Sequence, residues 1–527
     1  MKTVHKIALV TLLWLILLNP GSISIVDTER RLQMTHAWWT GKEEKIPGDG
    51  LIIKVEDRTY IPYDLGQSML MLPADWLGTQ LGRNLATENQ REQLREAIVS
   101  FGIFLPINLL AVLACFRLLR LFGYSDRLAG LSTIVWLLGT SFLFYTTYHQ
   151  QNNQILLLTT LSYIGALKYV IEKRKKWAIL SGMALGFGFL IRITVILYAM
   201  CAIAFLIGCL WHREQKISVG KSLEAVKFWL IGYVPFLVIE RILSYIRYGS
   251  WIATSTSLHL QIYNNQETIT QANPIVRGNN SDFSFLYFIK RIELGGILKT
   301  LFSPEKSLFL YDPLFLPCLL LLILCWKFLS GYVRWYVVTA IAGLILHLCL
   351  YSRTNDWLIH PDWGARYHIT SVHLLLIPLI PLLVRGATIK LKQRKHRLKR
   401  LVSKITQIII VSAIAIQLAA VILPPDLEAT QQRLGFGSRW RVVQRLKNVY
   451  YVATYEQKPH PQISKLFEHS LGLAPRKKIS WYLFPLKLQE RLEANSAVNK
   501  ILPFLLILWS LIFVMAIAST VWLVVSS

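Results

Sequence analysis

Long apolar runs separated by short polar bursts make up most of the chain. Twelve stretches carry almost no charge: about 7–25, 96–116, 128–146, 154–171, 177–191, 194–211, 226–245, 307–327, 335–351, 369–384, 405–424 and 501–525. Each approaches the ~20 residues a helix needs to cross a bilayer core. The pattern predicts an all-α polytopic membrane protein with about twelve transmembrane helices. The block from Trp177 to Trp211 is too long for one span, because a single helix there would run ~50 Å at 1.5 Å per residue. Its flanks, Lys173-Arg174-Lys175-Lys176 and Arg213, Lys216 and Lys221, are both basic. Basic flanks belong on one side of the membrane, so the block is read as a hairpin turning near Gly186, Gly188 and Arg192.

The same rule orients the rest. Arg117, Arg120 and Arg127, then Lys327 and Arg334, then the acid-free run from Arg385 to Lys404 all fall in alternate loops. These loops are assigned to the cytoplasm with both termini, which leaves about 26–95, 246–306 and 425–500 outside. The organisation expected is a transmembrane region over 1–424 with its first external loop at 26–95, a small external segment at 425–500, and a last span within 501–527. Gly21-Ser22-Ile23-Ser24 after the first apolar run also fits a signal-peptide cleavage site, and on either reading the next segment lies outside.

Composition agrees with this picture. The chain has 527 residues, 54% of them hydrophobic, with 57 Lys+Arg against 30 Asp+Glu and a formal charge of +27. Such a charge suits a nucleic-acid binder only when gathered on a soluble face; here it sits between apolar runs, so no nucleic-acid partner is expected. All six cysteines lie inside apolar stretches, as small core residues do, and do not form a disulfide framework.

Candidate chemistry gathers at the external ends of the spans. Asp27 and Glu29 follow directly on the first span, either as first-turn residues that cap and complement a helix carrying Trp38-Trp39 along the interface, or as a general base over a membrane-embedded cavity. Arg192, Arg353 and Arg366 stand in short external loops, where cations are expected to be scarce and need an anionic partner. Asp356, Asp362 and headgroups are alternatives to a lipid phosphate in that role. Lys306 follows Ser303-Pro304, which reads as a helix start and therefore as an anion site. Tyr148 through Gln154, with His149 among them, is either a sugar-hydroxyl patch or a polar turn. Asn264, Asn265, Gln266 and the sequon at Asn279 are weaker signals.

In their order along the chain these residues resemble the polytopic lipid-dependent glycosyltransferases, the GT-C class that includes protein O-mannosyltransferases and bacterial arabinosyltransferases. Asp27-Thr28-Glu29 occupies the place of the family's catalytic carboxylate. Asp57 to Ser68, with Tyr60 and Tyr63, is similar to the loop preceding the family's "LLxxP", here Met69–Pro73. Leu180 to Arg192 resembles its glycine-bearing hairpin, Ser303 to Phe309 its "SPxxGLF" helix start, and Asp362 to Tyr367 its "SWGPRY". Thr28 separates two acids that are often adjacent in the family, Ser307 replaces Gly and Ala365 replaces Pro. The likeness covers about 5–385.

The resemblance implies inverting transfer of a sugar from a polyprenyl-phosphate donor to an extracytoplasmic glycan, lipid or protein acceptor, in a bacterial plasma membrane. It makes Asp27 and Glu29 catalytic and places Arg192, Arg366, Lys306 and Arg353 at the donor phosphate. His149, Tyr60, Tyr63 and Asp362 fall at the sugar. No cofactor is required, and a divalent metal at Asp27 and Glu29 is the one ion site suggested. A glycan polymerase or ligase, with its key residues in 425–500, is one alternative. A twelve-helix lipid or solute transporter is the other; Gly123 to Arg127 matches part of a facilitator loop signature but lacks the Gly-Arg-Arg that follows it.

Overall fold

The computed structural model describes residues 3–44, 52–55, 58–255, 257–258, 292–352, 362–387, 397–435, 437–454, 481–492 and 496–526. The first helices are α1 (Thr3–Leu18), α2 (Val26–Thr40), α3 (Gly66–Gly82), α4 (Glu88–Val99) and α5 (Leu105–Leu121). A two-stranded antiparallel hairpin, β1 (Ile53–Val55) and β2 (Arg58–Tyr60), precedes α3 and pairs Ile53 with Tyr60. Then come α6 (Asp126–Gly139), α7 (Phe142–Tyr148), α8 (Asn152–Glu172), α9 (Lys175–Ile191), α10 (Val195–Glu214) and α11 (Val219–Tyr248). The second half holds α12 (Leu294–Phe302), α13 (Leu308–Tyr311), α14 (Phe315–Cys325), α15 (Gly331–Leu350), α16 (Ile369–Ala387) and α17 (Arg397–Val421). It closes with α18 (Leu427–Arg433), α19 (Arg441–Thr454), α20 (Phe484–Leu492) and α21 (Ser496–Ser526).

All twelve apolar stretches fall on these helices. Among the described residues eight helices are long and apolar enough to cross a membrane, and α6 with α7, bent by 59°, forms a ninth if counted as one broken span. The stretches on α1, α9 and α14 give shorter helices. The protein is therefore an integral membrane protein built of helices. At the bend the freed Ser141 N–H needs a partner, since no water is at hand in a bilayer core. Asp312, between α13 and α14, supplies it: its carboxylate accepts from the Ser141 N–H at 2.7 Å and from the Ser141 O–H at 2.6 Å.

The expected hairpin is present. α9 and α10 are separate helices, broken at Arg192–Thr194 and so a few residues beyond the glycines. Lys173 and Lys221, from the two flanks, both reach Glu214, at 3.7 and 2.6 Å. Close packing explains Gly186 instead, where a Cβ would stand 2.7 Å from the Phe236 ring; farther along, a Cβ on Gly182 would stand 2.0 Å from the Trp229 carbonyl, and one on Gly232 would stand 2.1 Å from that of Ile179. α9 and α11 thus meet backbone to backbone. The last helix lies along the first in antiparallel fashion. Trp14 donates to Thr520 at 3.0 Å, Trp509 donates to the Leu17 carbonyl at 3.1 Å, and Lys6 sits over the Trp522 ring. Both termini therefore emerge at one end of the bundle, opposite the end that carries Asp27.

Candidate functional site

Asp27 stands in the first turn of α2, directly after the turn that ends α1. Ile25 is the N-cap and makes no side-chain cap bond, so neither Asp27 nor Thr28 caps the helix. Thr28 instead donates to the His149 carbonyl at 3.1 Å. The Asp27 carboxylate accepts from the Tyr63 hydroxyl at 2.7 Å and faces the Arg366 guanidinium at 3.4 Å, with 28% of its side chain open to solvent. Tyr63 also accepts from Arg30 at 3.1 Å. Burial first, and then Asp27, push the Tyr63 phenol well above its ordinary range, so it remains a donor.

The loop that carries Tyr63 is held by a buried ion pair. Arg247, at the end of α11, reaches Glu44 at 2.8 Å and donates to the carbonyls of Ile61 and Tyr63 at 2.8 and 3.1 Å. Glu44 in turn accepts from the Ile61 N–H and the Trp38 indole. Tyr60 belongs to this support, edge-on to Tyr248 with Arg247 above its ring, and not to the Asp27 cluster. Trp39 donates to Asp75. Both indole N–H groups of the tryptophan pair therefore turn inward to carboxylates.

Arg366 connects the acids. Its Nη1 lies 3.4 Å from Asp27 and 3.4 Å from the buried Asp362, while Nη2 donates to the Tyr367 hydroxyl at 2.7 Å. Its buried Nε–H finds no hydrogen-bond partner among the described residues. Burial disfavours the charge, but Asp362, Tyr367 and Asp27 hold the guanidinium well above the arginine range. Arg192 caps the end of α9 and approaches the same aromatic group. It lies over the Tyr367 ring at 4.8 Å and donates to the Tyr351 hydroxyl at 3.2 Å, with Tyr351 and Tyr367 stacked 4.3 Å apart. Among the described residues no carboxylate lies within 4 Å of Arg192. Gly66 allows the approach of α3 to this corner, because a Cβ there would meet the Ile191 N–H at 2.6 Å. Two guanidinium groups thus flank one tyrosine ring beside a half-open carboxylate.

Other expected residues take supporting places. Lys306 is fully buried and donates to the Asp362 carbonyl at 2.6 Å, and burial depresses its ammonium far below the lysine range. Its helix also starts later than the Ser-Pro signal implies, at Leu308, with Ser307 as the cap. A direct phosphate contact does not fit such burial; Lys306 fixes the 362–366 loop. The His149 imidazole is buried against Ser100 at 2.8 Å and Phe104, and burial lowers it to about 3. The His149 backbone, in a left-handed conformation at φ 59°, is the part that serves the cluster. The residues after it are buried wiring and not an open sugar patch. Gln150 donates to Asp362 at 2.9 Å, Asn152 to the Arg366 carbonyl and Gln151 to that of Ile191. Arg353, Asp356, the sequon and Asn264–Gln266 lie outside the described residues.

Glu29 is half-buried two residues beyond Asp27, and a two-residue step turns the helix by roughly 200°. The two acids therefore point in different directions. Among the described residues no group of three or more His, Cys, Asp or Glu side chains is placed to hold a metal ion.

Residues 93–239, from α4 to α11, match the family model described as dolichyl-phosphate-mannose-protein mannosyltransferase. The matched segment covers less than a third of the chain. It contains Arg192 and the His149–Gln154 turn but neither Asp27 nor Arg366, whose pairing rests on the geometry above. None of the curated proteins matches the chain. Two crystal structures of ArnT from Cupriavidus metallidurans, bound to undecaprenyl phosphate and in the apo state, align over 92% of this chain and 84% of theirs. Identities are 12% and 13% at a TM-score of 0.44, a likeness too loose to bear on the chemistry.

Proposed function

We propose that the chain is a membrane glycosyltransferase that moves a sugar from a polyprenyl-phosphate donor to an acceptor hydroxyl with inversion. The observation that carries this reading is Asp27: a half-open carboxylate, fixed by a phenol and loosely faced by a guanidinium, next to a second arginine that no described carboxylate neutralises. In this scheme Asp27 takes the proton of the acceptor hydroxyl as its oxygen attacks the anomeric carbon. The bond from that carbon to the phosphate oxygen breaks, and the lipid phosphate leaves with the electron pair. Arg366 and Arg192 stabilise the charge that grows on the phosphate. A lipid phosphate is already a good leaving group and needs no general acid. A lipid-borne donor also suits a site on the far side of a bilayer that charged nucleotide sugars do not cross.

The finer architecture belongs to the same proposal: twelve crossings, both termini in the cytoplasm, and the Asp27 end facing the exterior of a bacterial plasma membrane. Shared placement of the two termini supports it, as does the hairpin at Arg192. A transporter needs functional charges within its spans. Asp312 is such a charge, and its bonds to Ser141 account for it as the support of a broken helix.

The test is to incubate purified full-length protein with a panel of polyprenyl-phosphate sugars and an acceptor mixture, and to measure released lipid phosphate. Release is expected from the wild type with at least one donor and is expected to be lost in Asp27→Asn, which keeps the size and inserts normally. Full turnover by that variant would remove the proposed base. No release from any donor would favour transport.

A further inference from the structure

α19 is amphipathic in the reverse sense for a soluble segment. Its inward stripe is polar: Arg441, Gln444, Arg445 and Asn448, spaced i, i+3, i+4 and i+7, are 6%, 4%, 1% and 0% exposed. The outward stripe is apolar: Trp440, Val443, Leu446 and Tyr450 are 53%, 46%, 44% and 60% exposed. The inward residues bond to the protein. Arg445 pairs with Glu428 at 2.5 Å and donates to the carbonyls of Ala420, Leu423 and Pro424. Asn448 bridges Glu428 at 2.7 Å and Gln431 at 2.9 Å.

Those three carbonyls identify the depth of the helix. Ala420 lies in the last turn of α17, a helix long and apolar enough to span the membrane, and Leu423 and Pro424 follow directly on its end; a span ends where its carbonyls reach the headgroup layer. Arg445 therefore holds α19 at that boundary with its polar face toward the protein. Tryptophan and tyrosine stand toward the two ends of the outward stripe, the residues that favour the bilayer interface. Lys447 lies on the same exposed face, as a cation that reaches anionic headgroups does. A second helix repeats the arrangement: α12 buries Gly296 and Thr300 and exposes Leu294, Leu298 and Phe302. The two regions are joined by Arg439 and Glu305 at 2.6 Å.

We infer that α19 lies in the plane of the membrane, its Trp440–Tyr450 stripe sunk into the lipid at the headgroup and acyl boundary. The occupant of this face is the bilayer that holds the spans, not a second copy of the chain or a partner protein. Through Arg445, whose guanidinium sits over the Trp363 ring at 5.6 Å, the same helix supports the loop that carries Asp362 and Arg366. The inference does not depend on the reaction proposed above.

The experiment uses full-length protein in vesicles of mixed zwitterionic and anionic phospholipid. Val443→Cys, Leu446→Cys and Tyr450→Cys are made singly at exposed positions and labelled with an environment-sensitive fluorophore. The parent chain labelled identically gives the background from its own cysteines, and elution as a single species confirms folding. Blue-shifted emission, quenched more strongly by nitroxide-bearing lipid than by aqueous iodide at all three positions, is expected. Stronger quenching by iodide would place the face in water. Protection from both quenchers would mean that protein covers it. Either of these results overturns the proposal.

Discussion

Two aspartate–arginine pairs stand on the same side of the bundle and differ in almost every other respect. Asp75 is fully buried: Arg95 at 2.8 Å, the Trp39 indole at 2.8 Å and His36 at 3.1 Å all converge on it. Asp27 is partly open and meets its arginine at 3.4 Å, and that arginine is shared with a second acid at the same distance. The first pair ties α2, α3 and α4 together. The second has a loosely held cation and access to solvent, so a ligand can enter without dismantling the fold. Equal residue types give a structural clamp when they are buried and closely paired, and a candidate reactive centre when they are loosely paired and open to solvent.

The largest effect expected is on chemistry at Asp27. Asp27→Asn should lower phosphate release by at least ~10²–10⁴-fold, the range for losing a general base, while thermal unfolding in detergent stays close to wild type. Asp75→Asn should do the reverse. Leaving Arg95 buried and unpaired costs roughly 3–5 kcal/mol, seen as a lower unfolding midpoint, with turnover per folded molecule retained. A large loss of stability in Asp27→Asn would erase the distinction between the two centres.

Smaller effects sharpen it. Arg366→Lys keeps the charge but loses the fork that reaches Asp27, Asp362 and Tyr367 together; turnover should fall more than donor affinity, read as a change in kcat at nearly constant KM. Tyr63→Phe removes one hydrogen bond to a charged group, worth about 1.5–3 kcal/mol, so activity should fall roughly 10- to 150-fold, with stability little changed. The smallest effect is a pH dependence at Asp64, which accepts from Ser255. Burial pushes this carboxyl up to about 6, with Ser255 and Arg31 acting against it. Because the folded value is raised, the stabilisation is complete below the unfolded value of 3.8 and is lost as pH rises through about 6. Unfolding midpoints followed between pH 4 and 8 should show that loss in the wild type and not in Asp64→Asn.

Much of this protein was legible in the order of its residues. Apolar length alone located all twelve helical stretches, and the charge on the flanks of Trp177–Trp211 required the turn at Arg192, since both properties act locally and do not depend on distant partners. Asp27, Arg192 and Arg366 could be named for a related reason: charged groups at the ends of spans need an explanation there, whereas Tyr63 entered only through the family resemblance. Their roles could not be read in the same way. Lys306 and His149 have the residue types of a binding site, yet both are buried, and burial is set by segments far away in the chain. The Gln150–Gln154 turn looked like an open polar patch and is the wiring behind the loop at 362–366. Trp38 and Trp39 looked like the interfacial anchor, whereas the reversed face of α19 fits that role. Which side of a helix faces protein depends on what packs against it, and only the tertiary structure decides that; which segments enter the membrane depends on transfer free energy summed along the chain, and the sequence alone contains that sum.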